Sequence, residues 1–293
     1  MKNLKGNISV ASLFVAIAFL FACAEEPKNT EENTVALEEN VEAIEEADAF
    51  EEEDDDSFIL PSPIQIAAMF NRAGLAFEGD LTNPTDNLSK YNTKTSKFLN
   101  FGIYSADLAY AVLNNQQQLS IDCLNAVKVL SDEIGMPSVF GSGNLIESFE
   151  KNIDNQDTVL TILTTIKRRT DEYLEENSEE SKEAIFFSAA WLEGMYLGAM
   201  SSSDKDKLTP RLVEQMTILD NIIKAIKVQD DETIDMDFMI EGLTDLKTTF
   251  DQFDSIKELD MEDVDIDDVT LTSEEMDVLN TKINDLRTKI ING

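Results

Sequence analysis

Five apolar residues, Met239, Leu243, Leu246, Phe250 and Phe253, step along this chain by four, three, four and three. A second set, Met276, Leu279, Ile283, Leu286 and Ile290, steps by three, four, three and four. Only an α-helix brings such positions onto one face, because 3.6 residues complete a turn. A half-buried strand needs period-two alternation, and no stretch of the 293 residues carries it convincingly. The chain is therefore expected to be all-α. Seams of this kind belong to antiparallel bundle packing or a short coiled coil. Two heptads are too few to require a partner chain, so the expectation is docking within the chain.

Start and stop signals divide the rest of the sequence in the same way. Ser62-Pro63-Ile64-Gln65 offers an N-cap, a proline at the first helical position and a glutamine three residues after the cap. Gly135 marks a helix end. Helices are expected at about 63–77, 86–113, 118–134, 144–152, 157–176, 181–201, 208–228, 233–259 and 273–291. That makes a multi-helix antiparallel bundle of eight or nine helices over residues 59–293, with one core or two sub-bundles, 59–203 and 204–293. No fixed repeat of the solenoid kind is present. The stretch 184–200 is apolar nearly all round, which marks the central helix. Its Ala190, Gly194 and Gly198 lie four apart and invite close approach by another helix. The expected neighbour is the helix carrying Gly102, Ser105, Ala106 and Ala109.

Each of these two helices holds one carboxylate among apolar residues, Asp107 in the first and Glu193 in the second, with Tyr104 and Tyr196 three residues away. Burial raises a carboxyl pKa, and two such groups brought together can share a proton, bind a cation or act as acid and base. The alternative is that each is buried with its own hydrogen-bond partner, a tyrosine, a backbone group or a cation such as Arg72.

Near the C-terminus, Asp263, Asp265, Asp267 and Glu274 occupy positions one, three, five and twelve of a calcium-loop pattern. Asp268 stands where the loop requires glycine, and Thr270 where it expects an apolar residue. An acidic linker followed by a capping box, Thr272-Ser273-Glu274-Glu275, is the competing reading. Gly141-Ser142-Gly143-Asn144 lacks the lysine and the preceding strand of a phosphate loop, and reads as a helix start. There is no histidine in the chain, which excludes Ser-His and Cys-His nucleophile pairs, His-ligated zinc and the Glu-x-x-His di-iron pattern. Cys123 has Leu119, Ala126 and Val127 at helical neighbour spacing, so a buried inert thiol is expected.

The N-terminal region is of another kind. Lys2 and Lys5 precede an apolar run, Val10 to Ala22, shorter than the roughly 20 residues of a membrane span. It reads as a signal peptide over residues 1–22, ending in Leu20-Phe21-Ala22-Cys23. Residues 24–56 then contain 16 acids against one lysine. Such a stretch cannot bury enough apolar area to offset its ordering entropy, so 23–58 is expected to be a disordered acidic tether. It would span roughly 30 Å as a flexible coil and at most about 110 Å extended. Loss of residues 1–22 removes two lysines and no acid, leaving 21 basic against 59 acidic residues, a formal charge of −38. Nucleic acid is not an expected partner, because phosphate binding depends on clustered Lys and Arg.

Leu20-Phe21-Ala22-Cys23 resembles the lipobox of bacterial lipoproteins, although Phe21 is bulkier than that family's usual residue. The resemblance implies that Cys23 is the first mature residue and is acylated on sulfur and amine. Two or more chains give stable attachment, at roughly 0.8 kcal/mol per buried CH₂. Ala24 differs from the aspartate of an inner-membrane retention signal, and Glu25-Glu26 resemble the acidic tag of surface-exposed Bacteroidota lipoproteins. An outer-membrane lipoprotein exposed at the cell surface is thus implied. Leu60-Pro61-Ser62-Pro63, Leu81-Thr82-Asn83-Pro84-Thr85-Asp86-Asn87 and Gly102-Ile103-Tyr104-Ser105-Ala106-Asp107 are similar to segments of uncharacterised all-helical lipoproteins of Bacteroidota. That likeness implies location and fold and carries no activity.

Two functions are therefore carried forward. The first is a non-catalytic binding or structural module without a cofactor, anchored to the membrane through Cys23, whose partner is an envelope protein or a small ligand. The second is a carboxylate-based enzyme or divalent-cation binder using Asp107 and Glu193, with calcium at the acidic loop as a further option.

Overall fold

The structure is a computed structural model and describes residues 61–141, 144–257, 259 and 264–293. The signal peptide, Cys23 and the acidic stretch lie outside the described residues, as does Asp263. Among the described residues the regular structure is helical throughout, with no strand. No described helix is long and apolar enough to cross a membrane.

Ten α-helices follow one another among the described residues: α1 (Pro63–Arg72), α2 (Lys94–Leu113), α3 (Gln117–Glu133), α4 (Leu145–Lys151), α5 (Gln156–Asn177), α6 (Glu183–Met200), α7 (Lys205–Thr217), α8 (Leu219–Val228), α9 (Asp237–Asp251) and α10 (Ser273–Ile291). The start of α1 is where the Ser62-Pro63 signal places it, and the Ser62 N–H donates to Gln65 Oε1 at 2.5 Å. Its end comes earlier than the apolar pattern implies. Gly74 adopts φ +93°, a left-handed conformation that costs glycine little, and the chain turns there with Leu75 N–H bonding Phe70 O at 2.9 Å.

Helix α2 begins at Lys94, not at residue 86. Residues Thr85–Lys90 form a 3₁₀ turn, and Thr93 caps the helix by accepting from Ser96 N–H at 3.0 Å. The single helix expected over 208–228 is two, α7 and α8, meeting at Ile218, where Thr217 Oγ1 donates back to Glu214 O at 2.7 Å. Helix α9 covers only the middle of the stretch expected at 233–259.

Helices α2 and α6 form the central pair, with α3 on the far side of α2, α1 across both, and α10 laid on α6, α2 and α9. The closeness of the central pair depends on Gly102. A Cβ there would lie 2.0 Å from Phe186 O and 3.0 Å from Ala189 Cβ. Two of the small residues of α6, Gly194 and Gly198, face a different helix from the expected one. A Cβ on Gly194 would meet Ile66 Cγ2 at 2.7 Å, and one on Gly198 would meet Phe70 Cε1 at 2.6 Å, so these glycines seat α1.

The apolar core divides along the two faces of α2. One cluster joins Leu99 and Ile103 to α1, α6 and the helices α7 to α10. The other joins Phe101, Tyr104, Leu108 and Val112 to α3, α4 and α5. The larger cluster mixes residues from before and after Ser203. Both heptad seams are in it, with Leu243, Leu246, Leu279 and Ile283 fully buried. Cys123 is fully buried, and burial pushes its thiol pKa up.

Candidate functional site

The loop between α1 and α2 shapes the surroundings of the two carboxylates. Thr82-Asn83-Pro84 is extended between two 3₁₀ turns, so its backbone groups have no helical partners and must find others. Asn83 N–H donates to Asp107 Oδ2 at 2.9 Å, and Tyr104 OH donates to Pro84 O at 2.9 Å. The Asn83 side chain donates to Tyr91 OH at 2.9 Å and accepts from Asn87 Nδ2 at 2.7 Å. Asn100 Nδ2 donates to Ser96 O at 2.8 Å and to Ile290 O at 3.0 Å, which carries the network to the end of α10.

Asp107 and Glu193 do meet between α2 and α6, and neither has any solvent exposure. The residue that completes the group is one the sequence did not single out. Arg287 of α10 forms a bidentate pair with Glu193, Nε to Oε2 at 2.6 Å and Nη2 to Oε1 at 2.7 Å, and Nη2 also donates to Leu81 O at 2.8 Å. Its guanidinium carbon lies 3.9 Å from the centre of the Tyr196 ring, a cation–π contact. Tyr104 and Tyr196 therefore flank the carboxylates, one pinning the loop and the other supporting the arginine.

Electrostatics fix the protonation of the group. Burial raises the Asp107 pKa well above the carboxylate range. The adjacent Glu193 charge adds to this, while Arg287 and the Asn83 N–H act in the opposite direction. Asp107 Oδ1 has no hydrogen-bond partner, and Glu193 lies within side-chain hydrogen-bonding reach of the Asp107 carboxyl. A proton on the Asp107 carboxyl, donated toward Glu193, would make the two acceptors compatible. Burial disfavours the Arg287 cation, and Glu193 more than offsets this, so the guanidinium stays charged. Arg287 thus balances one carboxylate charge, and the raised Asp107 pKa favours a neutral acid beside it. Neither carboxylate lines any of the three principal cavities.

Of the acidic loop, Asp265, Asp267 and Glu274 lie among the described residues. Asp265 Oδ1 accepts from Asp267 N–H at 3.1 Å and so caps the 3₁₀ turn Ile266–Asp268. Asp267 pairs with Arg211, and Glu274 is exposed in the first turn of α10. No group of three or more metal-binding side chains forms among the described residues. The capping box is present, with Thr272 N–H donating to Glu275 Oε2 at 2.8 Å. Glu275 also accepts from Ser255 N–H at 3.0 Å and Ser255 Oγ at 2.6 Å. Against the desolvation that would raise it, these bonds hold the Glu275 pKa down at about 2.

A second polar cluster went unnoticed in the sequence. Glu78 Oε1 accepts from Ser201 Oγ at 2.9 Å and from Ser202 N–H at 2.6 Å, while Lys205 Nζ donates to Ala199 O at 2.8 Å and Ser201 O at 2.5 Å. The lysine is spent on the last carbonyls of α6, which is a C-cap and not an activated serine.

No protein-family model matches this chain, and no curated protein or solved structure is significantly similar to it.

Proposed function

We propose that this protein is a non-catalytic helical binding or structural module of the bacterial outer membrane, anchored through lipid on Cys23 and carried on the acidic stretch 23–58. The observation that supports the non-catalytic reading is the Asp107–Glu193–Arg287 cluster. The sharpest catalytic candidates in the sequence are sealed from solvent and neutralised by an arginine from another helix. General acid–base work requires a group within reach of a substrate proton, and neither carboxyl is exposed. The anchor rests on Leu20-Phe21-Ala22-Cys23 alone. Radiolabelled palmitate fed to expressing cells should enter the wild-type chain and not the Cys23→Ala variant; label retained in the variant would overturn the anchor.

The meeting of Asp107 with Glu193 favours one alternative, a divalent-cation or carboxylate-enzyme site opened by withdrawal of Arg287. A thermal unfolding midpoint that rises with millimolar calcium or magnesium, and stops rising in Glu193→Gln, would establish it in place of the first reading.

A further inference from the structure

Between α2, α5 and α6 lies a partly open cavity of about 120 Å³. Phe101, Leu108, Val127, Leu163, Ile166 and Phe186 make its wall apolar. The polar groups beside them are committed: Ser105 donates to Phe101 O at 2.7 Å, Thr164 to Leu160 O at 3.1 Å and Thr170 to Ile166 O at 3.0 Å, while Lys167 Nζ lies 2.9 Å from Asp171 Oδ2. Ile64, Leu163 and Phe186 of the lining are only half-buried, so covering them with another apolar group is favourable.

The described part of the chain begins at this cavity. Ser62, Pro63 and Ile64 belong to its lining, and Pro61 is the first described residue. Immediately before Pro61 the sequence reads Phe58-Ile59-Leu60, the longest run of large apolar side chains between residues 24 and 61. Phe58 is four residues from Ser62, a reach of at most about 14 Å. Its ring also suits the space, because an apolar cavity of about 150 Å³ holds one benzene molecule. The approach is pre-shaped by two prolines. Pro61 and Pro63 bias Leu60 and Ser62 toward extended backbone, and Ser62 has φ −66° and ψ 159°. Less chain entropy is then lost when the run docks. Charge offers no help, since the acids at 51–56 adjoin the run in a chain of net charge −36, so apolar burial has to hold it.

We propose that this cavity is the docking site of the chain's own Phe58-Ile59-Leu60, with the Phe58 ring seated between α2, α5 and α6. The acidic stretch then leaves the domain at one fixed place beside α5, and the cavity is closed to other molecules. The proposal goes beyond the binding-module reading and needs no acylation of Cys23. Chymotrypsin tests it, because the chain from Ala24 onward offers Phe50 and Phe58 in similar acidic surroundings, and Pro61 blocks cleavage after Leu60. Rates at both sites are referred to a synthetic peptide of residues 47–63, in which both are free. From the worth of burying one phenylalanine, Phe58 should be cut about ten- to a hundredfold more slowly than in the peptide, and Phe50 at the peptide rate. Ser105→Leu, which fills the cavity, should bring Phe58 to the peptide rate and leave Phe50 unchanged. Should that variant fail to fold, Phe58→Ala decides the matter: it should shift the methyl NMR signals of Leu108, Val127 and Leu163 and leave those of Leu243 and Leu279 in place. Cleavage of Phe58 at the peptide rate in the wild-type chain, or cavity methyls indifferent to Phe58→Ala, would overturn the proposal. So would protection that is lost on dilution, which marks docking between two copies, and protection that survives in folded Ser105→Leu, which marks burial elsewhere.

Discussion

Replacing Asp107 by Asn tests the protonation of the buried cluster directly. The amide has the shape of the neutral acid: its oxygen can accept from Asn83 N–H, now at 2.9 Å from Oδ2, and its NH₂ can donate toward Glu193 as the carboxyl proton does. The folded-state pKa of Asp107 is raised above its ordinary 3.8. Between 3.8 and the raised value the unfolded chain releases a proton that the folded chain keeps, so Asp107 lowers stability as pH rises through that window. Below 3.8 the effect is absent. Asn has no proton to release. Its stability relative to wild type should therefore climb with pH, by about 1.4 kcal/mol per unit across the window. Urea unfolding of both proteins between pH 4 and pH 8, with free energies extrapolated to water, measures the difference. If Asp107 were instead an anion paired with Arg287, Asn would break a buried ion pair. The variant would then be less stable by about 3–5 kcal/mol, with no climb over this range. That outcome would refute the neutral-acid assignment.

Three further outcomes follow from the same geometry. Arg287→Met leaves the Glu193 carboxylate buried without its cation and should cost about 3–5 kcal/mol; Glu193→Gln should cost less, because Asp107 can then give up its proton and supply the missing charge, and chemical denaturation orders the two. Gly102→Ala drives a methyl group into Phe186 O, where only backbone can yield, whereas Gly194→Ala meets the movable side chain of Ile66. The first should lower stability by about 3 kcal/mol or more and the second by about 1–2, as read from thermal unfolding. Glu275→Ala should cost about 1–2 kcal/mol at neutral pH through the lost cap and the Ser255 bonds. Because its folded pKa is lowered from 4.5 to about 2, the Glu275 contribution is present above pH 4.5 and fades as pH falls toward 2. The gap between wild type and Glu275→Ala should close across that interval in acid titrations followed by circular dichroism.

The all-helical class was legible because apolar spacing reports periodicity directly, as the seams of α9 and α10 show. Helix boundaries were less so. Thr85–Lys90 has the composition of a helical turn, and only the Thr93–Ser96 cap moves the start of α2 to Lys94. The convergence of Asp107 and Glu193 could be anticipated from the small residues beside them, since small residues allow two helices to meet. Arg287 could not be assigned as their partner, because it is 94 residues from Glu193 in sequence and looks like an ordinary surface residue. One clue was available. Arg287 lies four residues after Ile283 and three before Ile290, inside the buried stripe and not opposite it.

The position of Arg287 also bears on how one arrangement of helices is selected. The seam of α10 repeats every three or four residues, so sliding the helix by a heptad would present nearly the same apolar face to α9 and α6. Hydrophobic burial alone discriminates weakly between those registers, because it is non-directional. The charge discriminates strongly. In any slipped register Arg287 leaves Glu193, and two opposite charges are stranded in the core without their hydrogen bonds. The bonds from Arg287 to Leu81 O and from Asn100 to Ile290 O tie the same register to the Thr82-Asn83-Pro84 loop. A buried ion pair contributes little net stability compared with a well-packed apolar group, so its worth here is one of registry. The cluster that looked like a catalytic pair in the sequence thus acts as a key that lets α10 seat in one place against α6 and the loop before α2.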